Sequence, residues 1–456
     1  MGTLTDINYG IGKYLEVSDA SGIPAIGANR KNIDLLNFKV SVNNAYDLYN
    51  FKDGMIDAYQ TADGVDAATS TNESYDSTNK VYSPVVTAAA VTAFTSNGAA
   101  TWTAPAGIIT AEILVVAGGG GGGTGDAGGG GAGGVVHHAT YTTVPAVVYD
   151  LTVGAGGATG TTGATGSDSV FNVNAEGSGA TITADGGGGG GRYGTNGTTG
   201  GSGGGGGGSG SSGNSGAAAT QGNSGGGTGY GYAGGNGDGN WTGGGGGGAA
   251  AVGANASNTG GAGGAGRLFS NFTSYGVSGY FAGGGGGGAD DGAPSGGGAG
   301  GSGGGGEGGK GPGAAGTANT GGGGGGGGGA AGWYNGGAGG SGTVLIKTGA
   351  VTNNMTLLSN AQTAQAAPTE GRLMLYEEDV DAITLDTDLK GYVSRDGGTT
   401  YTQTPLVEDT TYDTGKRLLS GSVDISGQPS GTDMKYKVET LNNKNLKLHG
   451  ASLLWA

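Results

Sequence analysis

Cysteine is absent from all 456 residues, which excludes disulfides and thiolate metal sites. There are only 9 prolines and no Gly-X-Y period, so a collagen triple helix is excluded as well. Charge is scarce and one-sided: 12% of residues are charged, with 19 Lys and Arg against 35 Asp and Glu, giving a net charge of −16. A surface so poor in cations is a poor partner for the phosphates of nucleic acids or for an anionic membrane. The start, Met1-Gly2-Thr3-Leu4-Thr5-Asp6, has neither a basic segment nor an apolar run, so no secretory signal is expected. The most apolar stretch, Ala104 to Ala117, is too short to span a bilayer and carries Glu112.

What is abundant is glycine. Of 119 glycines, 100 fall between Gly118 and Gly342. They come in blocks: Gly118–Gly123, Gly128–Gly131, Gly186–Gly191, Gly203–Gly208, Gly243–Gly248, Gly283–Gly288, Gly303–Gly306 and Gly321–Gly329. Glycine loses the most backbone entropy on ordering and has no side chain to bury, so such blocks are expected to form neither ordinary helices nor ordinary strands. Either they are a disordered low-complexity tract, or their backbone groups satisfy one another. The second requires extended helices of three residues per turn, in which N–H and C=O point outward; six residues then span roughly 19 Å. Order is favoured by the starts of four blocks (Gly203, Gly243, Gly283 and Gly321), 40, 40 and 38 residues apart, a spacing typical of stacked units. It is also favoured by aromatics in the connections, which a flexible spacer does not need.

Strands frame this tract. Phe94 to Thr103 and Ile108 to Ala117 read as two strands, followed by Val135 to Thr142, Val147 to Val153, Ser169 to Val173, Ala180 to Ala184 and, after the last block, Gly342 to Lys347. Earlier in the chain, Asn32 to Tyr46 has the spacing of an amphipathic helix with Ile33, Leu36 and Val40 on one side. From Arg372 onward short strands alternate with turns. In Met434-Lys435-Tyr436-Lys437-Val438-Glu439 apolar and charged residues alternate, as expected of a sheet with one buried face. The sequence therefore divides into an N-terminal attachment or connector region (1–90), a glycine-rich domain of polyglycine II helices and β-strands (91–348), a linker (349–371) and a C-terminal antiparallel β-sandwich (372–456). The fold class is mainly β with polyglycine II helices, and the expected shape is elongated.

The run from Trp102 to Gly123, the segment Asp150 to Gly157 and the closing Gly339 to Ile346 resemble the glycine-rich domain of bacteriophage tail fibres and adhesins. Residues 53–84 and the C-terminal part resemble segments that flank such domains in marine-phage tail proteins. The resemblance implies a sandwich of polyglycine helices whose connecting loops touch a host receptor, either a surface glycan or an outer-membrane protein. It further implies contacts with other virion tail proteins, a homotrimer, and a virion location reached from the host cytoplasm by lysis. Aromatics of the connections are the candidate receptor-binding residues, because tyrosine and tryptophan supply rigid area with a polar edge: Tyr230, Tyr232, Trp241, Tyr275, Tyr280, Phe281, Trp333 and Tyr334, of which Trp241, Tyr280, Phe281, Trp333 and Tyr334 lie close to block boundaries. Their bland alternative is to cover rod ends and fill gaps.

No catalytic residue, cofactor or metal is expected. Gly-x-Gly-x-x-Gly recurs through composition alone, and no block is followed by the Gly-Lys-Ser/Thr of a phosphate loop. His137 and His138 are adjacent on a strand, so they face opposite sides and cannot chelate one ion. Asp57, Asp63 and Asp66 lack the ligand spacing of a calcium loop. Ser394-Arg395-Asp396-Gly397-Gly398-Thr399-Thr400-Tyr401 resembles the Asp-box of β proteins, a turn in which Asp396 bonds back across a hairpin with Tyr401 packed beneath. The sequence thus points to a non-enzymatic fibre or adhesin. A structural spacer without recognition is the alternative, and a glycan depolymerase a more distant one.

Overall fold

The computed structural model describes residues 36–41, 48–51 and 53–456, apart from 178, 294, 295, 330, 331 and 414. The chain is mainly β and divides into two compact units: the described part of Met1–Thr87 with Val351–Ala456, and Ala88–Ala350.

In the first unit, N- and C-terminal segments fold together. Gly54–Asp57 pairs antiparallel with Leu446–Trp455, placing Met55 opposite Leu453. Leu446–Trp455 also pairs with Glu370–Asp379, which pairs with Lys416–Asp424, which in turn pairs with Val407–Asp413. A second antiparallel sheet runs Thr356–Leu358, Asp433–Thr440, Leu389–Ser394, Thr402–Thr404. The two sheets contribute alternate residues to one buried cluster: Leu373, Leu375 and Leu453 from the first, Val393, Met434, Tyr436 and Val438 from the second. Each large apolar side chain removed from water contributes about 1.5–3 kcal/mol, and this cluster is what unites the segments. Residues 54–84 therefore do not stand apart from the C-terminal part as a separate connector. Nor is 349–371 a bare linker, since Thr356–Leu358 and Gln362–Thr363 both pair with Asp433–Thr440. The helix expected over Asn32–Tyr46 is helical at residues 36–41. There the buried apolar residue is Phe38, packed with Ile56, Met374 and Leu418; Leu36 is exposed, and Ile33 lies outside the described residues.

The second unit is built on two antiparallel sheets. One runs Thr228–Tyr230, Val135–Thr142, Thr110–Val116, Thr343–Thr348, Ala90–Phe94; the other runs Ile182–Ala184, Ser169–Phe171, Val148–Val153, Gly98–Thr103. From Ile113 to Val116 the strand Thr110–Val116 is apolar on both faces because both are covered there. Ile113 and Val115 join Trp102, Tyr149, Leu151 and Phe171, whereas Leu114 and Val116 join Phe269, Phe272 and Phe281.

From the ends of these strands the chain enters the glycine blocks, which are neither helix nor strand. Their amides bond to other blocks with a period of three. Gly118 and Gly121 donate to Ser167 and Ala164; Gly119 and Gly122 donate to Gly340 and Gly337; Gly120 and Gly123 donate to Gly131 and Gly128, all at 2.9–3.2 Å. The carbonyls of Gly118 and Gly121 accept from Gly187 and Gly190, and those of Gly120 and Gly123 from Gly324 and Gly327. The four blocks spaced by about 40 residues are neighbours in space: Gly244 donates to Gly206, Gly246 to Gly285 and Gly323 to Gly283. The packing forbids side chains, since a Cβ on Gly119, Gly120 or Gly130 would collide with a carbonyl of the adjoining block. Gly303–Gly306 departs from the pattern, beginning in a left-handed turn at Gly303 (φ +89°) and Gly304 (φ +97°).

Candidate functional site

The blocks have a sheet-side end and a free end, and the direction of each block decides where its flanking aromatics lie. At the sheet side, Gly118 follows the strand Thr110–Val116 by two residues, the amide of Ala282 meets the carbonyl of Thr320, and that of Ala249 meets Ala282. Five of the eight predicted aromatics belong here. Phe281 is fully buried against Leu114, Val116 and Leu345, with Tyr230 and Tyr275 packed on the same cluster. Tyr230 lies in the strand opposite Val135 and carries the Arg267 guanidinium 4.0 Å above its ring. The carbonyl of Tyr232 accepts from Gly203 at the start of its block, and Tyr280 pairs with Leu268. Tyr230, Tyr275 and Phe281 thus take the packing role rather than standing at loop tips, because the second face of the central sheet needs a cover.

The other three, Trp241, Trp333 and Tyr334, meet at the opposite end, where backbone bonds tie the turns together. Gly125 donates to the carbonyl of Tyr334 (3.1 Å), Tyr193 to that of Gly125 (3.1 Å), Gly208 to that of Asp126 (2.8 Å), Trp241 to that of Ser209 (3.3 Å) and Asp290 to that of Trp241 (3.2 Å). Trp333 is 58% exposed and Trp241 47%. The Trp333 indole lies 5.6 Å from the ring of Tyr193, whose hydroxyl accepts the Gly210 amide (3.3 Å). Sequence reasoning passed over Tyr193 and Asp126. A positional signal was present: Tyr193 sits two residues beyond the Gly186–Gly191 block and Asp126 two residues before Gly128–Gly131, as Trp241 and Trp333 sit near theirs.

Asp126 stands at φ +45° and is 6% exposed. Its Oδ1 has no hydrogen-bond partner among the described residues. Burial, with the charge of Asp290 adding to it, pushes its carboxyl up to about 6, against a pull downward from the Gly329 amide. The folded chain therefore holds this proton more tightly than the unfolded one. The stability from protonated Asp126 is fully present below the ordinary carboxylate range and is lost as pH rises through about 6. Asp126→Asn is expected to raise the melting temperature at pH 8, on the order of 1 kcal/mol in stability, and to leave it nearly unchanged at pH 4. Calorimetry at the two pH values checks this.

The other polar candidates are structural. His137 meets Glu112 at 2.9 Å and faces Phe269, while His138 packs edge-on against Tyr141 on the opposite side; burial lowers the affinity of His138 for its proton. Asp66 pairs with Lys435 at 2.9 Å. Among the described residues no group of three or more His, Asp or Glu is placed to hold a metal ion, and no helix is long and apolar enough to cross a membrane.

A glycine tract cross-bonded through its backbone and framed by two sheets defines this unit as a β-framed glycine-rich domain. The chain belongs to the glycine-rich domain family, which matches residues 95–349. No curated protein matches it.

Proposed function

We propose that the glycine blocks are polyglycine II rods, that the two sheets of the first unit form a sandwich, and that the chain is a tail-fibre or adhesin subunit. On this reading it fastens to a virion, as one of three copies, and binds a host-cell surface. The period of three in the donor pattern supports the rods, because only a helix of three residues per turn sends successive amides to three different neighbours. The observation that carries the binding role is the trio Trp241, Trp333 and Tyr334, exposed together at the free end. Exposed aromatics of this kind, rigid and amphipathic, are the residue types favoured at recognition surfaces. At the sheet side Tyr230, Tyr275 and Phe281, by contrast, serve packing.

The test is adsorption of the labelled full-length protein to a panel of bacterial cells. The double variant Trp241→Ala, Trp333→Ala is expected to lose at least tenfold in binding while keeping its melting temperature and circular dichroism. Unchanged adsorption by a folded double variant would leave the chain a spacer that gives reach without recognition.

A further inference from the structure

We propose that the free end of the glycine domain recognises an uncharged saccharide, with the indoles of Trp241 and Trp333 as its stacking platforms; this rests on reading that end as the binding surface. Both rings are seated on glycine. A Cβ on Gly125 would lie 3.0–3.1 Å from three ring atoms of Trp333, and one on Gly210 would lie 3.1–3.3 Å from three ring atoms of Trp241. Each indole therefore rests against backbone with no intervening side chain and keeps about half of its surface open. Tyr193 joins the two seats, its hydroxyl on the Gly210 amide and its ring beside Trp333. A tryptophan recruited only to fill a gap is expected to be buried; these are not.

Trp241 also holds φ at +56°, a conformation that costs a bulky residue about 1–3 kcal/mol. Backbone bonds to Ser209 and Asp290 fix it there. The fold tolerates that strain at a position whose side chain faces solvent, so packing does not account for it.

The surroundings select the ligand. The polar groups beside Trp241 are carboxamides and a carboxylate: Asn240 Nδ2 donates to Asn258 Oδ1 (2.7 Å), and Asp238 accepts the amides of Asn240 and Asn258 (2.9 and 2.8 Å). Such groups match the hydroxyls at a sugar's edge, while an indole matches its C–H face. The indoles stand among polar loops, so a ligand here meets apolar ring faces and hydrogen-bonding groups side by side, as a sugar presents its own. Asp126, Asp238, Asp290 and Asp291 belong to this end and outnumber its cations, Arg192 and Lys310; with a net charge of −16 on the chain they oppose phosphorylated or uronic-acid glycans.

Adsorption to cells treated with periodate or with proteinase K separates the outcomes. Periodate, which cleaves sugar diols, is expected to reduce binding at least tenfold, and proteinase K to leave it intact. Tryptophan fluorescence of the purified protein should respond to neutral polysaccharide and not to acidic polysaccharide, and Gly210→Ala, which displaces the Trp241 ring, should weaken that response several-fold. Binding that survives periodate and is lost to proteinase K would overturn the saccharide assignment while leaving the surface-binding role intact. Absence of adsorption to every cell tested would overturn both.

Discussion

Alanine at Gly130 is expected to destabilise the glycine-rich unit strongly, although it adds a single methyl group. Gly130 donates to the carbonyl of Gly324 (2.8 Å) and accepts from the amide of Gly285 (2.9 Å), so it is held between two blocks. Its Cβ would land on the carbonyl oxygen of a third, at Gly120, with Gly120 C and Gly121 O also within 2.8 Å. The obstacle is backbone on every side, so no rotamer change relieves it. The Gly118–Gly123 block cannot retreat, because its other amides are bonded to segments ending at Ser167 and Gly340. Overpacking of this kind costs about 3 kcal/mol or more, which lowers the melting temperature by roughly 10 °C in a domain of this size.

Gly222→Ala is the matched control. Nothing lies within 4 Å of a Cβ there, and alanine restricts the unfolded chain, which stabilises by about 0.4–1 kcal/mol at a compatible site. The two variants have the same composition and differ only in place. Thermal unfolding followed by circular dichroism checks both. Equal melting temperatures would mean that the blocks are not packed against one another in solution.

The strands bordering the tract were legible because they obey local rules. Thr110–Val116 and Thr343–Thr348 are β-branched runs that stop abruptly at glycine, and the structure pairs them with Leu345 opposite Leu114. The histidine pair was legible for the same reason, since alternation along a strand is a local property. Which aromatics reach the free end was not. Tyr230 and Trp241 are only eleven residues apart, yet they go to opposite ends because the chain between them runs the length of the Gly203–Gly208 block, Tyr232, Gly235 and Asp238 accepting in step from Gly203, Gly206 and Ser209. Which end each block turns to the sheets is fixed by bonds such as Gly324 to Gly120, across some 200 residues of similar composition. With every block alike, register leaves no trace in the local sequence. The pairing of Met55 with Leu453 was hidden for the same reason: its specificity lies in a shared core, not in either segment. Asp126 was hidden differently, because its burial comes from Gly329, a residue indistinguishable from the eight glycines before it.

In the other unit, Arg395→Met is expected to cost as much as the glycine change. The turn from Ser394 to Tyr401 behaves as its sequence implied: Asp396 Oδ1 accepts the Thr400 amide (2.9 Å) and the Ser394 hydroxyl (2.8 Å), and Gly397 and Gly398 supply φ of +74° and +92°. Arg395, between the two bonded residues, is buried. Its guanidinium donates to the carbonyls of Pro368 (2.7 Å), Ser426 (2.8 Å), Pro429 (3.1 Å) and Gln428. Its amide donates to Gln428 Oε1 (2.9 Å), and Gln428 Nε2 reaches Val393 O and Thr402 Oγ1. One planar fork therefore fastens three stretches of irregular chain, a geometry that arginine's fixed donors provide and a lysine ammonium does not. Methionine fills much of the same length but leaves four carbonyls without this donor, two of them, on Pro368 and Gln428, in buried bonds. Each unpaired group costs about 1–3 kcal/mol, so after relaxation a loss of about 3–5 kcal/mol is expected. Urea unfolding should show a lower midpoint with an unchanged slope, and Arg395→Lys should fall between wild type and methionine. A methionine variant as stable as wild type would mean that these carbonyls find water, and that the guanidinium is not what joins the loops.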